Sequence, residues 1–172
     1  MQQLGMPGGK FNIELTPKDI QTLHLNGMEK INFMVSANPG QTLQPLSKVA
    51  SGGELSRISL AIQVITTQQS NTPTLVFDEV DVGIGGATAE TVGVLLRQLA
   101  NNAQVLCITH LAQVAAKGQQ HLQVKKIVQK GQTYSTLVLL NQEARIAEIA
   151  RMAGGLKITK QTLAHAKEML EY

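Results

Sequence analysis

Three short groups of residues in this chain combine the types that phosphate chemistry needs. The first is Ser51-Gly52-Gly53-Glu54. Two glycines with a flanking hydroxyl let backbone N–H groups approach an anion closely. If a helix starts there, its dipole adds positive potential at the same point. The same four residues also satisfy a capping box, with Ser51 accepting from the Glu54 N–H and the Glu54 side chain returning to Ser51. The two readings are compatible, because a capped helix start is also a preformed anion site. The second group is Asp78-Glu79, directly after the apolar run Thr74-Leu75-Val76-Phe77. A carboxylate here suits Mg²⁺, which takes one or two carboxylates and completes its shell with phosphate oxygens. The neighbouring carboxylate suits the orientation of an attacking water. The third is Ile108-Thr109-His110, after the run Val105-Leu106-Cys107. Each group has an ordinary structural explanation when taken singly: a helix cap, a turn, an exposed histidine.

Their value depends on the elements that carry them. Leu55, Ile58, Ile62 and Ile65 recur at helical spacing, so the spacing predicts a helix from Gly52 to about Gln68 with these residues on one apolar face. The runs 74–77 and 105–108 are short and uninterrupted, as in parallel strands buried on both faces. Between them, Thr88 to Ala100 places Val92, Leu95, Leu96 and Leu99 on one side of a helix. Strand, helix, strand in this order is a βαβ unit. Its strands run parallel, so Glu79 and His110 leave the same edge of the sheet. Sites in open α/β sheets lie at that carboxyl edge.

The remaining segments frame this unit. Phe11–Leu15 and Ile31–Val35 read as strands, with Thr16–Gly27 a loop region and Asn38-Pro39-Gly40 a sharp break. Leu111 to Lys117 reads as a short helix. His121–Val128 and Tyr134–Leu140 read as a hairpin turning at Lys130-Gly131-Gln132. Two helices follow, from Gln142 to Ala153, stopped by Gly154-Gly155, and after Thr159 as N-cap with Leu163, Ala166 and Leu170 inward. The expected fold class is α/β, with a mostly parallel sheet and flanking helices.

Composition sets limits. The 172 residues fit one domain or one lobe of a domain, and 43% apolar residues suffice for a core. Aromatics make up 3%, so that core is aliphatic. A net charge of +3 does not by itself argue for nucleic acid, and Lys117, Lys125, Lys126 and Lys130 read as a solvated surface. The single cysteine, Cys107, lies in an apolar run and reads as a small core residue. One cysteine supports neither a disulfide nor a zinc framework within the chain. With no signal peptide and no apolar stretch of spanning length, a cytoplasmic protein without a membrane partner is the expectation.

In order and spacing, Ser51-Gly52-Gly53-Glu54 resembles the ABC signature, Asp78-Glu79 the Walker B pair, and His110 the switch histidine of ABC and SMC-type ATPases. The contexts Lys48–Arg57, Phe77–Gly86 and Thr109–Ala115 resemble the bacterial RecN family of DNA-repair proteins more narrowly. So do Ser36–Gly40 and Ala150–Gly155. The resemblance covers nearly the whole chain. It implies the C-terminal lobe of a P-loop NTPase head, with residues 1–10 the remnant of a preceding coiled-coil end. ATP and Mg²⁺ would be held in the complete head, with Ser51, Gly52, Gly53 and Glu54 at nucleotide, Asp78 at the metal, and Glu79 and His110 catalytic. The partners it implies are the N-terminal half of the same head, a second copy and DNA, with a place at the nucleoid. An SMC-like or RecF-like head, or a non-catalytic interaction lobe, are the alternatives.

The chain departs from the pattern twice. Aligned on Asp78-Glu79, the position of the D-loop aspartate falls on Gly85, which leaves Asp81 two readings, the D-loop role or an exposed turn carboxylate. No GxxxxGK[ST] loop occurs in the sequence. Gly8-Gly9-Lys10 is a false match, because Phe11 stands where a hydroxyl must meet Mg²⁺ and Leu4 where a glycine should stand. The resemblance therefore implies a piece of a longer protein, inactive alone, with apolar surface left open or self-associating where its other half belongs.

Overall fold

The computed structural model describes residues 1–19, 25–48, 51–66, 72–129, 131–154 and 158–171. A short 3-10 turn at Gln2–Leu4 opens the chain. Then come β1 (Lys10–Pro17), β2 (Glu29–Ser36), β3 (Gln44–Pro45), α1 (Gly52–Thr66), β4 (Thr74–Phe77), α2 (Gly86–Leu99), β5 (Gln104–Cys107) and α3 (Ala112–Lys117). The hairpin β6 (Leu122–Gln129) and β7 (Gln132–Leu139) follows, and α4 (Gln142–Gly154) and α5 (Lys160–Leu170) close the fold. Every helix and strand expected from periodicity is present. Gln68, the expected end of α1, lies outside the described residues, as do Lys130 of the hairpin turn, Gly155 and residues 20–24 of the expected loop.

Among the described residues, the parallel ladder is the pair β4–β5, in the register Leu75↔Val105 and Phe77↔Cys107. β1, β2 and β3 form an antiparallel sheet in that order, and β6 pairs antiparallel with β7. The main core lies where α1 and α2 meet one face of β4–β5. Ile58, Leu60, Phe77, Val80, Val92, Leu96, Leu99 and Val114 are buried there, joined by Leu4 and Met6 from the opening segment. The chain's first residues are thus packed into the core. A second, smaller core joins α3, α4 and α5 through Ala112, Ala116, Ile149, Ala150 and Ala166.

Side-chain bonds fix the helices to one another. Arg145 on α4 donates to the carbonyls of Ala116, Gly118 and Gln119, which closes the C-terminal end of α3. Lys117, expected on a solvated surface, is buried and pairs with Glu90 at 3.2 Å. Lys125 and Lys126 are exposed as expected, and Lys130 is not among the described residues. The predicted cap of α5 is a full capping box. Thr159 Oγ1 accepts from the Thr162 N–H and Thr162 Oγ1 from the Thr159 N–H, both at 3.1 Å.

Burial departs from the apolar pattern in two places. β4 and β5 are covered on one face only. Leu75, Phe77, Val105 and Cys107 meet the core, whereas Val76 is 65% exposed and Leu106 and Ile108 are open to solvent. On α1, the stripe Leu55, Ile58, Ile62 and Ile65 is not the buried face. Only Ile58 of the four is buried, and the packed side is Gly53, Arg57, Ile58 and Leu60. The physical reason is the same in both cases: the apolar pattern specifies two covered faces, and this chain supplies the cover for one. Apolar side chains also stand open on β1–β2 (Phe11, Ile13, Leu15, Ile31, Phe33) and on β6–β7 (Val124, Leu137, Leu139).

This asymmetry sets an expected outcome. Leu60→Ala, at a fully buried position, should lower unfolding stability by ~2–5 kcal/mol. Ile65→Ala, on the open side, should cost under ~0.5 kcal/mol. Urea melts of the two variants check the contrast.

Candidate functional site

The parallel register decides where the chemistry-bearing residues emerge. Phe77 and Cys107 are the last paired residues, and the Ile108 N–H donates to the Phe77 carbonyl at 2.9 Å. Asp78-Glu79 and Thr109-His110 therefore leave the same carboxyl edge, as expected. Both carboxylates and the His110 ring are exposed. Asp78 Oδ1 accepts from the Glu79 N–H at 2.9 Å, and the Glu79 carbonyl accepts from the Val82 N–H at 3.2 Å. Glu79 itself has φ 58°, a left-handed conformation that a side chain disfavours. It costs about 1 kcal/mol or more and is held there by the turn around it.

α1 delivers the second set to this edge. Ser51 Oγ accepts from the Glu54 N–H at 3.4 Å, the first half of the expected capping box. The Ser51 carbonyl accepts the first helical bond from Leu55 at 3.0 Å. Ser56 donates its hydroxyl proton to the Asp78 carbonyl at 2.9 Å, and Arg57 Nη1 donates to the Val82 carbonyl at 2.7 Å. These two bonds fasten the first turns of α1 to the loop 78–82. The glycines make the approach possible. A Cβ on Gly53 would fall 2.9 Å from the Val82 oxygen and 3.1 Å from Arg57 Nη1. A Cβ on Gly52 would fall 2.5 Å from Glu79 Oε2. The Glu79 carboxylate thus rests against the helix start, where backbone N–H groups and the dipole favour an anion.

Asp81 corrects an expectation. It is not an exposed turn carboxylate but is 2% exposed. Its Oδ2 accepts the Thr109 hydroxyl at 2.5 Å and the His110 backbone N–H at 3.0 Å. His110 Nδ1 approaches the same oxygen at 3.3 Å, with the ring 68% exposed. Such partners offset the cost of burying a carboxylate. Ser56 and Arg57 are the site residues that the motifs did not single out, and Asp81 is named there without this role. No local signal marks Asp81, whose burial rests on the sequence-distant Thr109 and His110. Arg57 carries none either; burial lowers its pKa, with Glu54 opposing the shift.

Asp78 fits Mg²⁺ in one specific way. Among the described residues, no group of three or more His, Cys, Asp or Glu side chains gathers as a metal cage. One exposed carboxylate, with an oxygen not used by the Glu79 N–H, suits an ion whose other ligands come from phosphate and water.

No family model matches this chain. The DNA repair protein RecN of Vibrio cholerae is 55% identical over 99% of this chain and 30% of its own length. The RecN of Deinococcus radiodurans is 45% identical over 99% of this chain and 29% of its own length. Over its whole length the chain is homologous to part of RecN. It spans about 30% of the length of these relatives. Its fold is that of SMC heads. A Pyrococcus yayanosii Smc head with a coiled coil and joint aligns at TM-score 0.62, with 19% identity, over 88% of this chain and 27% of that one. A structure from a study of ATP-driven dimerization and DNA-stimulated activation of SMC ATPases aligns at 0.53, with 18% identity, over 91% and 88%. The RecN resemblance is thereby shown. Among the described residues no helix is long and apolar enough to cross a membrane.

Cys107 lies behind the edge, packed against the main core as expected. Burial, then the negative charges of Asp81 and Asp78, push its thiol up to about 12. At pH 8 the folded chain should react with a maleimide at least ~100-fold more slowly than the urea-unfolded chain, because the thiolate is the nucleophile. Comparable rates would place Cys107 outside the core.

Proposed function

We propose that this chain is the C-terminal lobe of an ATP-hydrolysing head in a RecN-type protein acting in DNA double-strand-break repair and recombination. The observation that carries the reading is the shared edge. β4 and β5 deliver Asp78, Glu79 and His110 to one place, and α1 docks Ser51, Gly52 and Gly53 against it. The family supplies the DNA-repair context, and the dimerising SMC ATPases of like fold supply the idea of two heads.

In this reading the phosphate loop comes from the N-terminal half of the same head, and Asp78 joins the phosphates in binding Mg²⁺. That ion, when bound, would neutralise charge developing on the transferred phosphoryl group. Glu79 orients a water for in-line attack, and His110 meets the γ-phosphate from the neighbouring strand end. The N–H groups behind Ser51, with Glu54 in the first turn, take the γ-phosphate of a nucleotide held by a second copy. Gly52 and Glu79 touch within the single chain, so engagement requires the Glu79 carboxylate to swing off the helix start. The protein would act at the nucleoid in the cytoplasm, with DNA as a partner.

Two variants of the full-length protein test this. Glu79→Gln should keep ATP binding and lower turnover by ~10² to 10⁴; unchanged turnover removes Glu79 from the role. Ser51→Arg places bulk and charge at the helix start and should abolish ATP-dependent pairing of heads without unfolding them. Pairing that survives contradicts the trans contact.

A further inference from the structure

Asp81 is the one buried carboxylate among the described residues of this edge, and the proposed chemistry leaves it without a task. At 2% exposure, with Oδ2 already accepting from Thr109 and from the His110 backbone, it is closed to a nucleotide, a metal ion or a second copy. It can act only through what it holds. Two donors bond that single oxygen, the Thr109 hydroxyl and the His110 backbone N–H at 3.0 Å, and the His110 ring Nδ1 lies 3.3 Å from it. Thr109 is fixed in turn, because its Oγ1 accepts the Leu111 N–H at 3.0 Å. The ring beyond is 68% exposed. With Nδ1 beside the buried carboxylate, Nε2 is the nitrogen on the far side of an exposed ring.

We infer that Asp81 is a positioning residue for His110, locking the strand end and the imidazole so that Nε2 is presented at the γ-phosphate. This rests on the nucleotide reading above for its catalytic consequence, but not for the lock itself. A proton on Nδ1 turns repulsion between that nitrogen's lone pair and the carboxylate into attraction, so the lock also favours one tautomer of the neutral ring. Asp81 thereby ties the turn after Asp78-Glu79 to the next strand, coupling the position of Glu79 to that of His110. Asp81→Asn keeps the size and an acceptor oxygen while removing the charge. Partners that orient a functional histidine commonly contribute a factor of about 10 to 100.

The test is a double-mutant cycle in the full-length protein, joined to ¹⁵N spectra of the histidine-labelled chain. Asp81→Asn should lower kcat by about 10- to 100-fold, with KM for ATP moving less than about threefold. In a His110→Ala background it should lower kcat by less than about twofold, because the loss has already been taken. In the spectra, His110 should hold its proton on Nδ1 in the unaltered chain and shift towards the Nε2–H form in Asp81→Asn. Equal losses in both backgrounds would make Asp81 merely structural and overturn the inference. An unchanged His110 tautomer would overturn it too. If Glu79→Gln and His110→Ala both leave turnover intact, the nucleotide reading fails instead, and the spectra alone decide whether Asp81 locks His110.

Discussion

The site depends on the parallel pairing of Thr74–Phe77 with Gln104–Cys107. Antiparallel pairing would send Asp78-Glu79 and Thr109-His110 to opposite ends of the sheet. Parallel pairing sends them to one edge and obliges the chain to cross over through α2, which brings Val92, Leu96 and Leu99 onto the inner face of the strands. The same edge then receives α1. Ser56 and Arg57 bond to the backbone of the 78–82 loop, and Gly52 and Gly53 remove the side chains that would keep the helix away. Packing on one side of two four-residue strands therefore positions every group assigned to chemistry.

Much of this was legible in the amino-acid order. The runs 74–77 and 105–108, separated by a helical pattern, specify a βαβ unit, and the carboxyl-edge rule then joins Glu79 to His110. Thr159 announced a cap that the structure completes with Thr162. What pattern could not supply was which apolar face has a cover. Ile62 and Ile65 sit at helical spacing with Ile58, and Val76 and Leu106 alternate with residues of the core, yet all four stand open or nearly so. Periodicity records a requirement for burial and not the identity of what satisfies it. Asp81 failed in the opposite sense. A carboxylate in a Gly-rich turn reads as solvated, and its burial rests on donors 28 and 29 residues away at Thr109 and His110.

The open faces and the missing phosphate loop have one explanation under the proposed function. A parallel sheet is ordinarily covered on both sides, and here the outer side of β4–β5, the outer stripe of α1 and the apolar face of β1–β2 are all bare. A head completed by the rest of a RecN-length protein would cover such surfaces and bring the phosphate-binding backbone to Asp78. The strained backbone of Glu79, held against the start of α1, fits a residue that changes position when an anion arrives there.

The most direct measurement is ATP turnover by this chain alone and after co-expression with the remainder of a RecN-length protein. A split head predicts no turnover from the chain alone and turnover from the stable mixture. A well-folded mixture that binds tightly and hydrolyses nothing would contradict the account, leaving Asp78, Glu79 and His110 as structural residues of an interaction lobe.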